Sequence, residues 1–106
     1  MITDERAEAA VEYLRDSAKQ YGEICGLVEL RAHNIKIYRS LAFLESSGPV
    51  AEREATAWTN HKVRDAVDEH SNAVAEKMEI MTKRKAAELT IEVWRTQSAS
   101  NRARML

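Results

Sequence analysis

The sequence predicts an all-α fold: a long antiparallel helical hairpin of coiled-coil character, closed by a short connecting helix and completed as a dimeric helical bundle. Three observations carry this. Two long charged segments, residues 4–45 and 60–99, place apolar residues at helical spacing and contain no proline. The one proline, Pro49, follows Gly48 where the two segments join. Glycine and proline together supply only 3 and 1 of 106 residues, while Ala, Glu, Lys, Arg and Leu are abundant, a composition suited to long helices rather than to strands, which need more punctuation.

Helix one is expected over residues 4–45. Thr3 is a suitable N-cap, and Asp4, Glu5 and Glu8 place negative charge in the first turns, where the helix dipole favours it. Val11, Leu14, Ala18, Tyr21, Cys25, Val28, Ala32, Ile35, Arg39 and Ala42 then follow alternating three- and four-residue steps, a heptad seam. Gly22 and Gly26 interrupt the helix four residues apart, each costing about 0.8 to 1 kcal/mol against alanine. They mark either a tight crossing with another helix or a local weak point.

Residues 27–44 also carry apolar side chains off the seam: Leu27, Leu30, Ile37, Tyr38, Leu41, Phe43 and Leu44. A helix apolar on nearly every side is a buried helix. A single partner helix covers only one stripe, so Leu27, Leu30, Ile37, Leu41 and Leu44 are expected at an interface with a second copy of the chain. Self-association also suits a 106-residue domain, whose own core is limited.

Residues 46–49, Ser-Ser-Gly-Pro, end helix one. Gly48 can adopt the positive φ of a helix C-terminus, and Pro49 cannot continue that helix but suits the first position of the next. A short helix over 49–58 follows, with Glu52 and Glu54 in its early turns. Thr59 or Asn60 can cap helix three over 60–97, although nothing in the sequence forbids one continuous helix from Pro49. The apolar residues of helix three, from Val63 to Trp94, drift around its axis and are interrupted by Lys77 and Arg84. Residues 98–106 read as a frayed polar tail. The whole forms one domain, residues 1–106.

Composition narrows function by exclusion. A formal charge of −1 removes global attraction to nucleic acid or anionic membrane, so any such binding must come from a local patch. The single cysteine, Cys25, leaves no partner for an intrachain disulfide and suits a reducing cytosol. No apolar run approaches the roughly 20 residues that span a bilayer, and the acidic amino terminus lacks a signal-peptide core. A cytoplasmic location and no membrane partner are therefore expected.

No residue group reaches the specificity of a catalytic or metal signature, and neither enzyme activity nor a cofactor is expected. His61, Asp65 and Glu69 recur at four-residue spacing, with Asp68 and His70 adjacent, yet no Glu-x-x-His element of the kind used in four-helix di-metal sites occurs. Cys25 lies on the apolar stripe, where a thiol acts as a small hydrophobe rather than a nucleophile. The carboxy-terminal part is more suggestive. From residue 82 on, Lys83, Arg84, Lys85, Arg95, Arg102 and Arg104 oppose only Glu88 and Glu92. Lys83, Lys85, Arg95, Arg102 and Arg104 are the candidate nucleic-acid contacts, with Trp94 as a stacking platform. The competing reading makes these cations a helix C-terminus compensating its dipole, and Trp94 a continuation of the apolar stripe.

The stretch TIEVWRTQSASNRA at 90–103 and the turn GPVAEREATAW at 48–58 resemble a family of small helical proteins of tailed phages and prophages. The similarity covers most of the chain and rests on Pro49 to Glu54 and Ile91 to Gln97. It implies an accessory protein of replication or recombination in the host cytoplasm and brings no catalytic residue. Two functions follow as expectations: a non-enzymatic accessory that contacts DNA through the basic end, or an interaction or assembly module that binds a host protein.

Overall fold

The structure, a computed structural model, describes residues 1–105. They form three helices: α1 (Asp4–Glu45), α2 (Val50–Thr59) and α3 (His61–Met105), with no strand among the described residues. The fold is the all-α helical hairpin that the sequence predicts. Thr3 caps α1 as expected, its Oγ1 accepting the Arg6 N–H at 3.2 Å.

The turn departs from expectation by one residue. Gly48 is left-handed at φ 104°, and Pro49 is extended at φ −58°, ψ 152°, standing before α2 rather than in its first position. The Pro49 carbonyl accepts the Arg53 N–H at 3.0 Å, the first hydrogen bond of α2. α2 and α3 are separate helices because Asn60 is extended at ψ 132°. Its N–H donates to the Ala57 carbonyl, while its Oδ1 accepts from Lys62 N–H at 2.9 Å and caps α3.

α3 does not fray at residue 98 but continues through Ser98 to Met105. A helix needs an apolar face to dock but not to propagate, since each added residue gains a hydrogen bond once the nucleus exists. No glycine or proline follows Trp94 to stop it. Leu106, the last residue of the expected tail, lies outside the described residues.

Contacts within the helices gather into two compact units. One is Met1–Gly22 with the chain from Met78 onward, and the other is Glu23–Lys77. In the first unit the start of α1 lies antiparallel against the end of α3. The Ile2 N–H donates to Gln97 Oε1 at 3.1 Å, Trp94 Nε1 donates to Asp4 Oδ1 at 2.7 Å, and Arg84 reaches Leu14 and Ser17. Ala7, Ala10, Ser17, Ile80 and Ala87 are its buried residues.

In the second unit α1, α2 and the start of α3 close around Ala42, Ala57 and Val63, with Phe43 packed against them. Val63 is fully buried. Arg53 lies over the Phe43 ring, its guanidinium carbon 4.2 Å from the ring centre, and donates from Nη2 to the Phe43 carbonyl at 2.9 Å. That arginine ties α2 back onto α1.

The α1 seam needs a correction. Leu14, Tyr21, Val28, Ala32, Ile35 and Ala42 are buried or half-buried as expected and Arg39 is exposed, but three positions in the first half of α1 shift back by one residue. Ala10 replaces Val11, which is 51% exposed; Ser17 replaces the exposed Ala18; Ile24 is buried more deeply than Cys25. Apolarity alone favours Val11 and Ala18, yet small Ala10 and hydrogen-bonding Ser17 are the residues that admit α3. Nor does the α3 face drift. Val63, Ala66, His70, Ala73, Lys77, Ile80, Arg84, Ala87, Ile91 and Trp94 keep one three-four spacing, all buried or half-buried, with Lys77 and Arg84 as members rather than interruptions. Long cationic side chains can lay their stems on apolar surface and keep their heads hydrogen-bonded or wet.

Candidate functional site

An uncovered apolar stripe runs along α1 in the second unit. Leu30 is 54% exposed, Ile37 44%, Leu41 48% and Leu44 71%, and Leu27 is half-buried. They lie on one face of an uninterrupted helix at three- and four-residue steps, except for the seven-residue step between Leu30 and Ile37. Asn34, which sequence reasoning passed over because it is polar, fills the missing step between Leu30 and Ile37 and is half-buried. This stripe is the buried seam of the same segment displaced by one residue, about 100° around the helix axis. The signal was present in the spacing but hidden by selecting on hydrophobicity.

At the turn end of this face, α1 and α2 form an open depression of about 490 Å³ lined by Arg39, Ser40, Phe43, Leu44, Glu54 and Trp58 among others. The Arg39 guanidinium lies 5.0 Å from the centre of the Trp58 ring. Trp58 itself is half-exposed. Leu44 lines the depression and belongs to the stripe, so the two adjoin.

The five candidate nucleic-acid contacts are all exposed, but α3 does not gather them on one face. At about 100° per residue, Lys85, Arg95 and Arg102 point to one side, and Lys83 and Arg104 to the other. Lys83 is engaged by Glu79 at 3.2 Å. Lys85 and Arg95 share a shallow groove with Glu88 and Glu92. Trp94 is half-buried, lies with Ile91, Ala7 and Val11, and donates from Nε1 to Asp4 Oδ1. Arg102 and Arg104 occupy the last turn of α3, where cations complement the helix dipole.

The remaining reactive side chains stay apart. Cys25 is a half-buried free thiol. Glu69 pairs with Arg31 at 2.6 Å across α1 and α3, and both side chains are substantially solvated, which limits such a pair to about 0–1 kcal/mol. Among the described residues no group of three or more His, Cys, Asp and Glu side chains is placed to hold a metal ion. Gly22 and Gly26 make no tight crossing, since a Cβ at either would meet nothing within 4 Å.

One polar layer escaped sequence reasoning altogether. Arg84 Nη1 donates to the Leu14 carbonyl at 2.8 Å and to Ser17 Oγ at 2.7 Å, and its guanidinium carbon lies 5.2 Å from the centre of the Tyr21 ring. Ser17 Oγ in turn donates to the Tyr13 carbonyl at 2.6 Å. This layer acts within the hairpin, fixing which residues of α1 and α3 meet.

Fold and face together define a class, an all-α helical hairpin with an uncovered apolar stripe on α1. No family model, curated protein or solved structure matches the chain. No helix among the described residues is long and apolar enough to cross a membrane.

Proposed function

We propose that this protein is a non-catalytic interaction module that self-associates through the outer face of α1, in the setting of a phage-type accessory protein working in the host cytoplasm. The observation that carries the reading is the run Leu30, Ile37, Leu41 and Leu44, exposed on a helix already formed in its own hairpin, with half-buried Leu27 continuing the stripe. Contiguous exposed apolar surface marks a binding face, and a preformed helix binds without the cost of helix nucleation. Sedimentation equilibrium tests it: the natural chain is expected as a dimer at micromolar concentration, and the Ile37→Glu, Leu44→Glu double variant as a monomer with unchanged helix content. A monomeric natural chain at tens of micromolar would sink the reading.

A second reading, contact with DNA during replication or recombination, is supported by the exposed Arg102 and Arg104 at the end of α3, where no acidic residue follows Glu92. Lys85 and Arg95 would extend that contact along α3. Loss of DNA binding on changing Arg95, Arg102 and Arg104 to alanine supports it, and unchanged binding removes these residues from the argument.

A further inference from the structure

We propose that the outer face of α1 pairs with the same face of a second copy as a parallel, in-register two-stranded coiled coil whose orientation is set by Asn34. The inference rests on the self-association reading and goes further, naming the geometry and the residue that selects it. Leu27, Leu30, Asn34, Ile37, Leu41 and Leu44 form an unbroken heptad pattern with one polar member. A lone asparagine in such a seam is tolerated where two asparagines face each other and satisfy one another's amides.

The two pairings differ in what Asn34 meets. Parallel and in register, each layer pairs a residue with its own copy, so Asn34 faces Asn34 and the other five layers are Leu–Leu or Ile–Ile. Antiparallel over the same six layers, Leu27 faces Leu44, Leu30 faces Leu41, and Asn34 faces Ile37, so two amides are buried against hydrocarbon without partners. The flanks also accept the parallel form. They bring Gly26 opposite Arg31, His33 opposite Tyr38 and Ser40 opposite Glu45, with no like charges in apposition. Arg31 is already occupied by Glu69 of its own chain. Asn34 is half-buried, and among the described residues its side chain makes no hydrogen bond.

Disulfide trapping reads the orientation directly. Cys25→Ser removes the only native thiol. In that background Leu44→Cys and Leu27→Cys are made separately, and residue 44 is exposed enough for the hairpin to fold unchanged. The parallel pair predicts that each variant oxidises to a covalent dimer alone, with little cross-linking between the two when mixed. Cross-linking only in the mixture, with a dimer still present by sedimentation, overturns the parallel register while leaving self-association standing. A monomer by sedimentation overturns self-association itself. Asn34→Leu supplies the second readout: the dimer tightens roughly tenfold or more, and mixed cross-links appear beside the self-linked products. Unchanged affinity and unchanged cross-linking in Asn34→Leu overturn the role of Asn34.

Discussion

At the residue scale, size and hydrogen-bonding capacity decide burial as much as apolarity does. Ser17 is buried while Ala18 beside it is exposed, because Ser17 meets the Arg84 guanidinium and Ala18 points away from α3. The two helical glycines show the converse, since neither is required by a neighbour. Each of Gly22→Ala and Gly26→Ala should therefore stabilise the protein by about 0.8–1 kcal/mol, read as a raised urea midpoint with an unchanged slope. A destabilising alanine at either position would mean that another helix packs there after all. Gly48 is different, because its φ of 104° is costly for any residue with a Cβ, and a Cβ there would also crowd Glu52 Oε2 at 3.2 Å.

At the scale of the elements, polar residues set registers that apolar residues leave open. A two-helix seam of alanines and branched aliphatics could slide by a heptad with little change in buried area, but Arg84 has its partners Leu14 O and Ser17 Oγ in one register only. Ser17→Leu alone should cost about 1–3 kcal/mol, because it overpacks the seam and removes a partner of Arg84. Adding Arg84→Met should recover most of that loss, so a double-mutant cycle by urea unfolding should give a clear coupling energy. Additive effects would deny the layer its role. The start of α1 and the turn after it were legible, because Thr3 and the Gly48 and Pro49 pair are strong local signals, whereas the break at Asn60 was left open by the sequence, since an asparagine there is compatible with a continuous helix. The persistence of α3 to Met105 was not legible, because a polar helix propagated from a packed one has no periodic signature of its own.

At the scale of the whole molecule, net charge and uncovered apolar area pull the functional readings apart. A chain of formal charge −1 has no general attraction for DNA, and the three cations that share one side of α3, Lys85, Arg95 and Arg102, lie among Glu88 and Glu92. Fluorescence anisotropy with labelled single- and double-stranded DNA should thus show at most weak binding, with a log-log salt slope no steeper than about −3. A slope near zero, or no binding at low salt, would end the DNA reading; tight binding would show that the cations are gathered by an assembly of several chains.

The sequence by itself determined that the chain is a helical hairpin, because periodic apolar spacing, scarce glycine and proline, and one strong turn signal act locally along the chain. It also marked Leu27, Leu30, Ile37, Leu41 and Leu44 as more hydrocarbon than one helix partner can cover. Only the tertiary structure decided which of two stripes one residue apart, about 100° around the axis, meets α3 and which is left outside. That choice depends on how closely two backbones approach and on where Arg84 and Arg53 find acceptors, which are properties of packing between segments distant in sequence.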